Sequence, residues 1–575
     1  MNTVFTTTTG GGASARRHDF DALRAIAMLL GIALHAGLAF APIPWLAMND
    51  ETSPAIGTFI EVLHGFRLPL FFIMSGFFSA MLLRRRGVAG FLVHRWRRIA
   101  LPLLLGSVTL IPVMWGVIIG GHALQAVYPA PARERVIPEE TEASIWRAAA
   151  EGDLEAVKRL LDSGAPVDRP DSRFFTLPLA WAATGDHAEV VELLLECGAD
   201  PNQRMGDDNT PMHTACFFGA SESALLMLGA GGDLNISNRH GETPIEAMRH
   251  DAGVVTFISN LLAVEVSFER VEAGRSEIRS LLDTDLVTGA ASHTILDGIM
   301  DVVRGEVFMH LWFLWHLCWL AGGLVLVQLL LRLLPWRSLP DVFVSTPICL
   351  LGIVPLTALT QSWQANFGPD TSAALIPASH VLLHYSVFFA VGVLMYHSTR
   401  AADRRGRTWW VYLPIAAFAC YLALQILHAP DFVRGLGLPR QAHAWLGPLM
   451  QSIFVWTASF GFIGLARSVL SRSNARIRYI SDSSYWLYVA HLPVVVMGQF
   501  ALAYVSIPPA VEFVILTIAA ALVLLLSYQW FVRYTWIGCL LNGRRAHPKR
   551  SGAALLSDDR HASSPMSGTQ PTIQG

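Results

Sequence analysis

The chain has 575 residues, 53% hydrophobic and only 15% charged, with a mean hydropathy of +0.43. Soluble domains carry about 25% charged residues, so the composition excludes an ordinary soluble enzyme and makes lipid the main solvent. The net charge of −2 says nothing about nucleic acid, and none is expected as a partner. The N-terminus is polar over Thr6–Gly12, then basic at Arg16 and Arg17, and runs into an apolar stretch without an evident cleavage site.

A helix that crosses a bilayer needs about 20 mostly apolar residues. Ten such stretches follow in order, at about 20–41, 59–83, 99–121, 307–334, 342–362, 377–397, 408–428, 445–466, 483–505 and 509–535. The expected fold is therefore all-α, a polytopic membrane helical bundle of about ten transmembrane helices. Arginine and lysine concentrate in alternate loops: Arg84–Arg86 with Arg95, Arg97 and Arg98; Arg337; Arg400, Arg404, Arg405 and Arg407; Arg467, Arg472, Arg476 and Arg478; and Arg544 to Arg560. The opposite short loops hold only Arg434 and Arg440. Positive charge marks the cytoplasmic side, which puts both termini in the cytoplasm.

The stretch 122–306 is charged and repetitive. Gly152, Gly185 and Gly219 recur at 33- and 34-residue intervals, as do Gly164, Gly198 and Gly231, and Thr210-Pro211 recurs as Thr243-Pro244. That is the ankyrin period, and about four repeats fit in 143–265 as an inserted α-solenoid. The glycines end helices, the Thr-Pro pairs begin them, and such a stack offers a concave surface to a protein or glycan partner. Three spans precede the insert, so it is expected outside the cytoplasm. The expected organisation is a tail 1–19, a first membrane part 20–121, the insert 122–306, a second membrane part 307–540 and a polar cytoplasmic tail 541–575. Cys318, Cys349, Cys420 and Cys539 lie in apolar runs and read as small core residues. The redox state of Cys197 and Cys216 is left open.

Ionisable residues inside apolar helices are costly and suggest function. Arg24 and His35 are eleven residues apart, three turns, so they share a face about 16 Å apart along the axis, with Asp21 placed to pair with Arg24. The structural alternative is a snorkelling arginine and a packing histidine. Arg67 lies deep in the second span, with Ser75 and Gly76 as small residues suited to close packing. Arg95 and Arg98 stand where the third span enters the membrane, and arginine suits phosphate. His310 and His316 open the fourth span, beside Trp312, Trp315 and Trp319 as a possible interfacial belt. His380 and His384 sit one turn apart and read as a packed polar pair, with no third ligand evident and no metal expected. His491 lies in the ninth span just before Pro493, which frees a backbone carbonyl.

Six motifs then occur in one order: "DALRAIAMLLGIALH", "FFIMSGF", "RWRRIALPLL", "HLWFL", "FFAVGVL" and "SYWLYVAHLP". Together they resemble the acyltransferase 3 family over about 20–121 and 306–540, and "HLWFL" is similar to its glucan biosynthesis protein C branch. The resemblance implies a ten-helix O-acyltransferase of the bacterial inner membrane. It would pass an acetyl or succinyl group from cytoplasmic acyl-CoA to a hydroxyl of an extracytoplasmic envelope glycan. It further implies that His35 is catalytic with Arg24 as its motif partner, and that Arg95 and Arg98 meet CoA phosphates. Arg67, His310, His491 and Ser75 are then expected to line the substrate site. A neutral histidine is the usual general base for a hydroxyl nucleophile. Two other classes compete: a transporter or flippase for an acyl compound or lipid-linked sugar, which explains the buried Arg67, His35 and His491 equally well, and an ankyrin-bearing receptor or channel, against which the arginine asymmetry argues.

Overall fold

The computed structural model describes residues 17–542 apart from 42–44, 48–52, 129–143, 172–173, 175, 207, 239–240, 251, 263, 265, 283–306, 334–347, 365–366, 398–407, 429–439 and 473. Both expected tails beyond these limits, and loop residues such as Arg337, Arg400, Arg404 and Arg434, lie outside the described residues. What is described is helical, with no strand among those residues.

The first membrane part holds α1 (His18–Gly37), α2 (Pro54–Arg95) and α3 (Leu101–Val127). Asp19 and Asp21 in the first turn of α1 complement the helix dipole. Helix α2 starts on a Ser53 side-chain cap with Pro54 behind it, the pairing expected of a helix N-terminus. At Gly87 the backbone takes φ 66° and ψ 179°, a conformation open to glycine and strained for other residues. There the chain doubles back: Phe91 packs against Leu83, and Arg95 on the returning arm donates to Ser79 Oγ at 2.7 Å. A π-helical turn, Trp96–Ala100, leads into α3.

The insert folds as paired short helices: α4 (Ile145–Glu151) with α5 (Leu154–Asp162), α6 (Pro178–Gly185) with α7 (Ala188–Glu196), and α8 (Pro211–Phe218) with α9 (Ser221–Gly229). Gly152 and Gly219 end helices in the left-handed conformation at φ 71° and 64°. Thr210 and Thr243 form capping boxes with His213 and Glu246, which shows why the Thr-Pro pairs begin repeats. The fourth repeat departs from the expected form. Its first helix, α10 (Pro244–Ala247), is a single turn, and beyond α11 (Ala252–Leu262) an additional helix, α12 (Phe268–Leu281), packs against α8 and α9. Gly274 and Gly219 meet backbone to backbone, and the fully buried Arg275 donates to the carbonyls of Phe217 and His250 at 2.6–3.1 Å. The stack therefore holds three full helix pairs and a shortened fourth over 244–262, followed by α12 beyond the expected limit of 265.

The second membrane part holds α13 (Trp312–Leu333), α14 (Ile348–Gln361), α15 (Ser379–His397), α16 (Trp409–His428), α17 (Arg440–Val469), α18 (Ala475–Leu502) and α19 (Pro509–Ser527), followed by the short α20 (Trp536–Asn542). Among the described residues eight helices are long and apolar enough to cross a membrane. One of these runs from Pro54 to Gln125 and contains two of the ten expected stretches, joined at the Gly87 reversal. Cys349–Gln361 is apolar but shorter. Helices α2 and α15 cross closely because Gly76 lies on the Phe389 carbonyl and Gly392 on the Ile73 carbonyl, a small-residue contact typical of membrane helices. Trp312 is buried in the core, while Trp319 faces outward. Cys539 is exposed, because α20 lies beyond the last span, and does not pack as the core residue expected.

Candidate functional site

Helices α1 and α18 run side by side in the same direction, in contact at both ends. At one end the Arg24 guanidinium donates to the Ser481 carbonyl at 3.0 Å and to its hydroxyl at 2.8 Å, and it stands 3.6 Å from Asp21. Eleven residues on in α1 and ten in α18, the rings of His35 and His491 meet with centroids 4.9 Å apart. Helix geometry dictates this spacing, since both intervals are close to three turns. Arg24 and His35 thus share a face without sharing a site.

A third imidazole completes the group. His310 lies 5.6 Å from His491, ring to ring, on a 3-10 turn (Met309–Leu311) that precedes α13. Met309 has φ 40°, a left-handed conformation costing a non-glycine residue about 1–3 kcal/mol. Backbone carbonyls fix two of the tautomers, because a carbonyl can only accept. His310 Nε2 bonds Val489 O at 2.9 Å, so Nε2 carries the proton and Nδ1 a lone pair. His491 Nδ1 bonds Tyr488 O at 2.7 Å, so its Nε2 carries the lone pair. Val489 is four residues before Pro493, whose missing N–H leaves that carbonyl for His310.

The opposite wall comes from residues that sequence reasoning passed over. Trp45 stacks on His35 with centroids 5.7 Å apart. Gln499 accepts from Trp45 Nε1 at 3.0 Å and donates to His35 O at 3.0 Å, so one amide orients both. A glutamine inside an apolar run was the available signal for this position. Arg67 on α2 is buried at 7% exposure and lies within electrostatic range of His35, His64 and His491. Among the described residues its Nε has no hydrogen-bond partner, and neither does His35 Nδ1 or His310 Nδ1.

The remaining expected residues stand elsewhere. Ser75 is two turns along α2 from Arg67, and its carbonyl accepts from Ser79 at 2.6 Å. Arg95 lies over the Phe91 ring at 5.2 Å. Arg98 Nη1 donates to the Cys539 and Leu540 carbonyls at 2.7 and 2.6 Å, so it also caps α20, while its Nε and Nη2 make no hydrogen bond with any described residue. His384 bonds Thr360 Oγ1 at 2.9 Å, and His380 stands 3.9 Å from Asp370, outside the histidine group.

Fold and site together define a multi-pass helical membrane protein with a cluster of one arginine and three imidazoles contributed by α1, α2, the 3-10 turn before α13, and α18. The acyltransferase domain family matches residues 17–140 and 280–529, more than half of the chain, and the chain belongs to that family. An ankyrin-repeat family (three copies) matches 145–238, inside the gap between the two segments. The chain is 34% identical to glucans biosynthesis protein C of Escherichia coli (strain K12) over 99 residues, 17% of this chain and 25% of that protein. It is also 32% identical to the inactive serine/threonine-protein kinase TEX14 of Mus musculus over 106 residues, 18% of this chain and 7% of that protein. These matches span a quarter or less of each relative's length.

Proposed function

We propose that the protein transfers an acyl group, acetyl or succinyl, from acyl-CoA at the cytoplasmic face to a hydroxyl of an extracytoplasmic glycan. The observation that carries this reading is the meeting of His35, His491 and His310 in the membrane part of an acyltransferase-family chain, with lone pairs held open on two of the rings. The partial likeness to a glucans biosynthesis protein supports a glucan-type acceptor. His35 is the proposed general base: its ring makes no hydrogen bond with any described residue, and Trp45 and Gln499 hold its place. His491 and His310 line the acceptor's path, and Ser75 lies along α2 toward the donor side. Arg95 and Arg98 meet CoA phosphates, Arg98 through the guanidinium nitrogens left unused by its carbonyl contacts. Arg24 holds α1 to α18 at the donor end, so the spacing to His35 measures the reach asked of the pantetheine arm. Arginine placement in the short loops supports both termini inside and the ankyrin stack outside, where its concave face would hold a protein or glycan near the transfer site.

The test is mass spectrometry of envelope glycans from cells lacking the gene, complemented with wild type or His35→Gln. Glutamine keeps much of the volume and cannot take the proton. Loss of a positioned base costs about 10²–10⁴ in rate, so the acyl mass shift should return with wild type and stay absent with His35→Gln at equal membrane abundance. Near-normal acylation by His35→Gln would make His35 a packing residue and sink the general-base assignment.

A further inference from the structure

Arg67 is the most anomalous side chain in the bundle. It is a cation deep in an apolar helix pair, and it forms no ion pair or hydrogen bond with any described residue. Such a charge is strongly destabilising when left uncompensated. Two phenols lie within electrostatic range, Tyr385 and Tyr488, but both are committed elsewhere: Tyr385 donates to Asp370 O at 3.3 Å and Tyr488 to His310 O at 2.6 Å. The other groups that feel its charge are the imidazoles of His35, His64 and His491. Among the described residues no carboxylate pairs with it, so the site suits a negative charge brought from elsewhere.

The chain also makes room for it. A side chain at Gly31 would collide with Arg67 Nη1, so the guanidinium occupies the notch left by that glycine. Gly31 is four residues before His35, on the same face of α1 and about one turn, roughly 6 Å, nearer the Arg24 end. The cation therefore lies one turn from the proposed base, on the side from which a donor entering at the arginine-rich face would arrive.

Building on the acyltransferase reading, we infer that Arg67 holds the thioester carbonyl oxygen as it becomes an oxyanion, and that the missing side chain of Gly31 seats the guanidinium for this role. The acceptor hydroxyl oxygen attacks the carbonyl carbon of the acyl thioester, a C–O bond forms, and the hydroxyl proton passes to the His35 imidazole. The carbonyl π pair moves onto oxygen, where the Arg67 N–H groups meet it. When that pair returns, the C–S bond breaks, and the departing CoA sulfur takes the proton from the imidazolium. Nothing is oxidised or reduced. Donors aimed at a developing oxyanion in a dry site are usually the largest single contribution to such a reaction. Arg67 is then a catalytic residue and Gly31 a positioning residue.

The experiment uses the full-length protein in detergent, with acetyl-CoA and succinyl-CoA as donors and a mixture of glucose oligomers as acceptor, and reads CoA thiol release. Arg67→Met is expected to lower kcat about 10²–10³-fold with both donors, to change KM little, and to raise the thermal midpoint of the ligand-free protein, because an uncompensated charge has left the interior. Gly31→Ala is expected to lower kcat at least tenfold while leaving the pH profile, set by the histidine, in place. Unimpaired acetyl transfer by Arg67→Met overturns the inference. So does a defect confined to KM for succinyl-CoA, since Arg67 would then hold the acyl group's own terminal carboxylate. A lowered thermal midpoint in Arg67→Met and Arg67→Lys alike would make the arginine structural and overturn it too. Wild-type protein that releases no thiol from either donor overturns the acyltransferase reading together with this inference, whereas an active wild type with an indifferent Arg67 overturns the inference alone.

Discussion

The ankyrin stack and the membrane histidine cluster treat buried polar groups in opposite ways. In the stack most of them are spent, Ser259 Oγ being an exception. Arg275 makes three bonds to carbonyls. Asp171 accepts from the Phe174 and Thr176 amides and from Trp181 Nε1 at 2.6–3.0 Å. His213 uses both ring nitrogens, one at the Thr210 amide and the other at the Glu242 carbonyl of the next repeat, each at 3.0 Å. In the histidine cluster, Arg67 Nε, His35 Nδ1 and His310 Nδ1 are buried without a partner among the described residues. Buried groups in proteins are normally satisfied, and violations gather where function is carried. The stack is built to hold a shape, whereas the cluster keeps donors and lone pairs for something that arrives.

The largest expected effect tests this contrast between two buried arginines. Arg275→Met strips the α8 end and the turn at His250 of their donor and leaves buried carbonyls unpaired. With losses of about 1.5–3 kcal/mol for a hydrogen bond to a charged group, α12 should detach from α8 and α9. Hydrogen exchange on the full-length protein should show protection collapsing over 211–229 and 268–281. If protection there is unchanged while Arg67→Met lowers the melting point, the two arginines have exchanged roles and the contrast fails.

A smaller effect is expected inside the cluster, with opposite signs for stability and activity. Pro493→Ala restores an amide that can bond the Val489 carbonyl now held by His310. Helix α18 should gain stability, since interior proline costs a helix about 3 kcal/mol, and His310 should lose its orienting partner. Transfer is expected to fall about tenfold, equivalent to ~1.4 kcal/mol, while the thermal midpoint rises. A fall in both quantities would make Pro493 a packing residue and leave His310 positioned by other contacts.

Much of this was legible in the sequence, for reasons that differ between the two regions. The ankyrin helices follow from spacing because each glycine turn and Thr-Pro cap is a local device. Helix α12 was not legible, because it obeys no repeat period and is helical by virtue of a Ser267 cap and its docking on Gly219. In the membrane part, histidines and arginines are conspicuous against apolar runs, so His35, His310, His491 and Arg67 could be picked out. Their grouping is tertiary and could not be read directly. The Arg24–His35 spacing gives a shared face, and only the contacts with Ser481 and His491 show that the two residues serve opposite ends of α1. Gly31 carries no sequence signal of its own role, since its function is the space it leaves for a side chain 36 residues away. The contacts of Arg98 Nη1 with the Cys539 and Leu540 carbonyls could not be read in advance, because backbone groups are not displayed by sequence.

The smallest expected effect concerns pH and belongs to the stack alone. Glu242 accepts from His250 Nε2 at 2.9 Å and from Asn238 Nδ2 at 3.4 Å. Burial by itself would raise the Glu242 carboxyl, but the hydrogen bond and charge of His250, with help from Asn238 and His213, outweigh it and hold the group below its ordinary value of 4.5. A carboxyl depressed in the folded state stabilises that state above the unfolded value, and the contribution is lost as pH falls through the folded value. The junction between the third and fourth repeats should therefore weaken as pH falls below 4.5. The change should be about 0.2–1 kcal/mol, since the pair is part exposed and screened. Glu272, depressed chiefly by the Arg279 hydrogen bond, pulls in the same direction, and Asp168, raised chiefly by burial, pulls in the other. Glu242→Gln isolates the one pair. In hydrogen exchange on the full-length protein at pH 5.5 and 3.5, corrected for intrinsic rates, wild type should lose protection at 243–250 between the two conditions. The variant should start lower and change less. An equal change in both would assign the acid sensitivity to Glu272 at the α12 cap, and would place the stack's weak point one helix further along.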